Sequence, residues 1–180
     1  ISVFPRDGTT ADTLIKNADA AMYLAKERGR SNFQFFNERL SAAAFRALTM
    51  ETKLREAIRA EAFVLHYQPQ VRVDTGEVTG VEALIRWRRP DGVVREPDDF
   101  IPVAEATGLI QPLGLFVLQT ACRDIAFMRA ALSAPLRVSV NISAAQIREP
   151  NIVTIVANAL LAASLDASAL ELEALADQLR

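Results

Sequence analysis

Cysteine is almost missing from this 180-residue chain, and the one thiol, Cys122, excludes an intramolecular disulfide framework. With His66 as the single histidine, no spacing suggests a zinc site. Such thiol economy is expected of a reducing cytoplasm. An excess of charge of one sign is lacking too. A net charge of -2 gives no electrostatic case for nucleic acid or an anionic membrane, so any phosphate must be recognised by a few placed cations. No uninterrupted apolar run approaches the roughly 20 residues that span a bilayer, and the opening residues carry no signal-peptide pattern. What is present is 51% hydrophobic and 23% charged residues, the balance of a globular rather than a disordered chain. The length suits one ordinary domain, or a small one plus part of another. Ile1 reads as the middle of a strand, so preceding sequence is expected, and membrane attachment could come with it.

Residues 1–5 are a short apolar run closed by the turn cluster Pro5-Arg6-Asp7-Gly8-Thr9. Helical periodicity follows over about residues 11–28, with Leu14, Ala18, Ala21, Met22 and Ala25 on one face, Thr9 or Thr10 as N-cap and Gly29 as the stop. Residues 32–36 alternate as a strand would. Residues 37–60 are rich in alanine and in charges of both signs. Their narrow seam of Ala43, Ala47, Met50, Leu54 and Ala57 predicts a helical connector with a solvated outer face. Residues 63–73 and 77–87 then flank Asp74-Thr75-Gly76 as a hairpin. Residues 116–132 read as a helix burying Leu118, Ala121, Cys122, Ile125, Met128 and Leu132. After it come a β-rich run at 137–142, a helix marked by Ile152, Ile155, Val156, Ala159, Leu160 and Ala163, and a strand from Leu170. This rhythm belongs to βαβ units in an α/β sheet or barrel.

Chemistry concentrates in Val81-Glu82-Ala83-Leu84-Ile85-Arg86-Trp87. Period-two alternation puts Glu82, Leu84 and Arg86 on one face, opposite Val81, Ala83, Ile85 and Trp87. Spacing alone leaves two readings for Glu82 and Arg86: an ion pair on a solvated face, or a functional pair that justifies the cost of burying charge. Asn141 could cap or turn after its strand. Glu171 and Glu173 share parity, so spacing does not choose between them. Gln68, before Pro69, could be an ordinary strand-end amide. His66 is expected to be a packed strand residue and Cys122 a core one.

The motifs Tyr67-Gln68-Pro69, Asp74-Thr75-Gly76 and Gly80 to Trp87, followed by Phe100-Ile101-Pro102, Ala104-Glu105 and Thr107-Gly108-Leu109-Ile110, closely resemble the opening of EAL phosphodiesterases. Ser139-Val140-Asn141-Ile142-Ser143 with Gln146, and Leu170-Glu171-Leu172-Glu173, continue the likeness over roughly 110 residues. The resemblance implies a (β/α)8 TIM-like barrel that hydrolyses cyclic di-GMP to linear pGpG using Mg2+ or Mn2+. By position, Glu82, Asn141 and Glu173 are similar to metal ligands, Arg86 to a phosphate contact, and Gln68 and Leu84 to substrate-pocket residues. Oxygen ligands suit hard divalent cations, and a planar guanidinium suits a phosphate. A homodimer through the EAL unit is a further implied partner.

Ser2-Val3-Phe4-Pro5, Asp7-Gly8, Ala18-Asp19-Ala20-Ala21-Met22-Tyr23, Ala25-Lys26 and Gly29-Arg30 resemble the last helix and strand of GGDEF diguanylate cyclases. There Lys26 and Arg30 match contacts to GTP phosphates, although two exposed cations near a helix C-terminus would look the same. The expected organisation is therefore a GGDEF remnant at 1–36, a helical linker at 37–60 and the truncated opening of an EAL barrel at 61–180. Two departures stand out. Ala174-Leu175-Ala176-Asp177 replaces the family's hydrophobic residue and Thr-Glu, and the paired-aspartate loop and downstream lysine are absent from these residues, as is the Gly-Gly-Asp-Glu-Phe loop. These 180 residues are expected to be inactive alone, with a non-hydrolysing receptor, or a regulatory unit attached to a cyclase, as the alternative reading.

Overall fold

A computed structural model of the chain describes residues 1–27 and 32–174. The chain divides into two compact units, Ile1–Leu54 and Arg55–Arg180.

In the first unit, Thr10 caps helix α1 (Ala11–Glu27) by accepting a hydrogen bond from the Thr13 amide at 3.3 Å. The helix buries Ala21 and Leu24, while Met22 is 50% exposed. Leu24 follows Ala21 by three residues and so shares its face, whereas Met22 is turned about 100° away. The preceding turn is tied by Asp7, a buried carboxylate that accepts from the Val3 amide and the Arg6 guanidinium, each at 2.7 Å. The strand expected at 32–36 is not formed. Two hydrogen bonds, from the Ile1 amine to Gln34 O at 2.6 Å and from the Phe36 amide to Ile1 O at 2.7 Å, have the alternating pattern of a parallel ladder but stop after one residue. Helix α2 (Glu38–Arg59) buries Leu54 and Ala57, as the seam predicts.

The second unit is built on a mixed sheet. Strands β1 (Phe63–Val71) and β2 (Val78–Arg88) form the expected antiparallel hairpin, closed by the Arg72 amide to Glu77 O at 2.9 Å and the Gly76 amide to Arg72 O at 2.8 Å. The two-residue β3 (Val94–Arg95) pairs with the end of β2. Helices α3 (Ile101–Thr107) and α4 (Ile110–Leu132) lead to β4 (Arg137–Ile142), parallel to β2. The short α5 (Ala144–Ile147) and α6 (Ile152–Ala162) lead to β5 (Leu170–Ala174), parallel to β4. The sheet order is β1-β2-β4-β5, with β3 joined to β2.

Alternation divides this sheet cleanly. Val81, Ala83, Ile85, Trp87, Val138, Val140 and Ile142 are buried on the face that α4 covers with Leu118, Ala121, Cys122 and Ile125. Phe63, Trp87 and Phe100 form an aromatic cluster at one end, with centroids 5.7 to 5.9 Å apart. Helix α4 begins six residues before the expected Phe116, at Ile110. Pro112 lies in its first turn, where the missing amide has no intrahelical partner in any case. Leu132, expected to be buried, is 65% exposed at the helix end. His66, expected to pack, is exposed because it pairs with Leu84 and so lies on the polar face. Between β2 and β4, a Cβ on Gly80 would lie 2.7 Å from Arg137 O, so glycine is what lets these backbones approach.

Candidate functional site

The polar face of the sheet aligns four of the expected residues across its strands. Gln68 on β1 lies directly opposite Glu82 on β2. Glu82 Oε1 accepts a hydrogen bond from Asn141 Nδ2 on β4 at 2.7 Å, and Asn141 is in register with Glu173 on β5. Leu84 is one step further along β2 on the same face. One layer below, Gln70 Nε2 donates to the buried Ser139 Oγ at 3.2 Å, which fixes β1 against β4 across β2.

A cavity of about 590 Å3 opens beside the middle of β2 and the C-terminal end of β4. Glu82, Leu84 and Asn141 are among the sheet residues that line it, and Asp98, Glu105, Ser143 and Gln146 contribute its other polar side chains. Ligand sites at the C-terminal ends of parallel strands are the rule in such sheets. Gln68, Arg86 and Glu173 are outside this lining. The Arg86 guanidinium is engaged twice, donating to Ile85 O at 2.9 Å and meeting Glu96 Oε2 at 3.0 Å. Glu96 and Asp98 carried no signal in the sequence, because they reach the site through loop packing, whereas Glu105 stood in the Ala104-Glu105 motif without an assigned role. Lys26 belongs to α1 in the first unit, and Arg30 lies outside the described residues.

Glu82, Asn141 and Glu173 offer carboxylate and amide oxygens, a donor set that fits a hard divalent cation. Among the described residues, no three His, Cys, Asp or Glu side chains gather closely enough to hold a metal by themselves. The amide oxygen of Asn141 is therefore needed, and its side chain already touches Glu82. In the present arrangement the amide nitrogen faces the carboxylate, so a shared cation would require the amide to turn its oxygen to that side.

Behind the site, Tyr67 points to the other side of β1 and its hydroxyl donates to Asp124 Oδ2 on α4 at 2.8 Å. Burial, and then the hydrogen bond to this carboxylate, push the Tyr67 hydroxyl pKa far above its usual value. Burial also raises the Cys122 thiol, which leaves it an unreactive core group.

A mixed α/β sheet whose polar face sets Glu82, Asn141 and Glu173 in line, with a cavity beside the first two, defines the class as an α/β domain. Residues 51–179 match the EAL domain family, and the chain belongs to it. The chain is 42% identical over 179 residues to the cyclic di-GMP phosphodiesterase NbdA of Pseudomonas aeruginosa, covering 99% of this chain and 23% of that protein. It is 43% identical over 173 residues to the bifunctional diguanylate cyclase/cyclic di-GMP phosphodiesterase MucR of the same organism, covering 96% of this chain and 25% of that protein. The solved MucR phosphodiesterase in complex with c-di-GMP superposes with a TM-score of 0.66 at 41% identity, over 69% of this chain and 50% of that one. The chain thus spans about a quarter of the length of these curated relatives.

Proposed function

We propose that the protein carrying this chain hydrolyses cyclic di-GMP to the linear dinucleotide with Mg2+ or Mn2+. The observation that carries this reading is the 2.7 Å hydrogen bond between Glu82 and Asn141, which joins two oxygen-bearing side chains from adjacent parallel strands at the mouth of the cavity. In this reading Glu82, Asn141 and Glu173 hold the cation. When bound, it supplies Lewis acidity toward the phosphodiester. Arg86 binds a substrate phosphate after exchanging Glu96 for it. Gln68 and Leu84 border the dinucleotide, and the apolar walls exclude water from it. The phosphodiesterase activity of the EAL relatives supports the assignment.

The same proposal makes residues 61–180 the opening of a (β/α)8 barrel that could pair with a second copy. Residues 37–60 become a connector and residues 1–36 the end of a GGDEF domain, whose Lys26 and Arg30 would face GTP phosphates. The test is turnover by the intact protein with cyclic di-GMP and Mn2+, compared with its Glu82→Ala variant. Linear product from the wild type, reduced at least a hundredfold in the variant, is the expected outcome. Turnover insensitive to Glu82→Ala would remove the metal assignment. Engagement of Arg86 by Glu96 favours a second reading, a receptor that binds without hydrolysis. Metal-independent binding with no product would select it.

A further inference from the structure

We propose that Gln146 is a positioning residue for Asn141, and that Gly114 lacks a side chain in order to admit it. The inference rests on the reading of Asn141 as a cation ligand and adds the device that holds it in place. Gln146 is 5% exposed. Its Oε1 accepts from the Ser143 amide at 3.0 Å, while Ser143 Oγ accepts from the Gln146 amide at 3.3 Å. This reciprocal capping box belongs to a helix of only four residues. So short a helix has little stability of its own for a cap to protect. What the box does fix is the turn at Ser143, two residues after Asn141.

Helix α4 grips the same turn at two points three residues apart, and therefore on one helix face. Gln111 Nε2 donates to Ala145 O at 3.3 Å and to Glu149 Oε1 at 2.9 Å. At the second point the Gln146 amide lies against Gly114, where a Cβ would fall 1.7 Å from Nε2 and 2.9 Å from Cδ. Gly114 lies within α4 and has no left-handed φ that would call for glycine. Alanine there would be a better helix former. The obstacle to it is the Gln146 side chain. Because α4 also packs on β4, the helix, the capped turn and the strand carrying Asn141 are locked together. The lock explains how an exposed amide on β4 can be aimed at Glu82.

The experiment uses the intact protein with Mn2+ as the probe, measured by calorimetry beside steady-state kinetics and urea unfolding. Its variants are Gly114→Ala, Gln146→Ala, their double combination, and Asn141→Ala as a control. Loss of an outer-shell orienting group reduces metal affinity by roughly 10- to 100-fold, and each single variant is expected to do so. The double variant should be no weaker than Gln146→Ala alone, since the new methyl enters space that the amide has left. The maximal rate should fall while KM for the cyclic dinucleotide changes less than about twofold. Wild-type Mn2+ affinity in Gln146→Ala, a KM effect without an affinity effect, or losses that multiply in the double variant would each overturn the proposal. Should Gly114→Ala fail to fold, the double variant is read against Gln146→Ala, and its failure to fold as well would also overturn it. If Asn141→Ala leaves Mn2+ affinity intact, the ligand assignment itself falls, an outcome distinct from failure of the positioning role.

Discussion

At Arg86 the guanidinium is shared between a carbonyl of its own strand and Glu96, whose side chain is 65% exposed. An ion pair with so wet a partner contributes on the order of 0.2 to 1 kcal/mol, which a doubly charged phosphodiester ligand can replace. Glu96→Gln removes the competing charge and keeps the shape. Its expected effect is a lower KM for cyclic di-GMP by about two- to fivefold, with unfolding stability changed by less than about 1 kcal/mol. Steady-state kinetics decide it, and a higher KM would mean that Glu96 orients Arg86 instead of competing for it. The alternation that puts Glu82, Leu84 and Arg86 on one face was legible from spacing, and the strand realises it. The identity of the arginine's partner was not, because Glu96 reaches it from the segment after β3 and no periodicity connects positions 86 and 96.

Between elements, the Tyr67–Asp124 hydrogen bond ties the edge strand β1 to α4, across 57 positions of sequence. The bond needs the neutral hydroxyl as donor to a carboxylate, so the folded state holds the Tyr67 proton more tightly than the unfolded chain, where the pKa is near 10.0. Stability from this group is fully present below that pH and is lost as pH rises above it, because the unfolded chain then releases a proton that the folded one retains. Tyr67→Phe is expected to cost about 1 to 3 kcal/mol at neutral pH, through the unpaired carboxylate as well as the lost bond. It should also flatten the fall in stability above pH 10, a slope that urea unfolding at stepped alkaline pH measures directly. At this scale the sequence was read well for the hairpin, whose Gly76 turn is a local signal. It was misread for the start of α4, where Pro112 and Gly114 resemble a break. One is harmless in a first turn, and the other answers to a side chain 32 positions away.

For the molecule as a whole, stability resides where the apolar face of the sheet meets α4. Ile125 is fully buried there, and Ile125→Ala is expected to cost about 2 to 5 kcal/mol, a large part of an ordinary domain's stability. Leu161 is 78% exposed on α6, and Leu161→Ala should change stability by no more than about 0.5 kcal/mol. Paired urea titrations test the contrast; equal losses would show that Leu161 is covered in the folded protein. The polar face carries the opposite property, since the row of Gln68, Glu82, Asn141 and Glu173, proposed above as the site, contributes little to the core.

Period-two alternation, turn residues and helical seams are local properties, and the sequence by itself determined them: the hairpin, the two faces of β2, the helices α1, α2 and α6, the body of α4 and the strand that ends near Glu173. His66 shows the limit of reading without parity, since its alternation with Tyr67 already assigned it to the polar face. The tertiary structure alone decided which strands become neighbours. Asn141 meets Glu82 across 59 positions because α3 and α4 return the chain to the edge of β2 that β1 leaves open, and because Gly80 lets β4 come close. Burial of the α4 stripe against one sheet face fixes that crossover, and no periodicity within either strand encodes it.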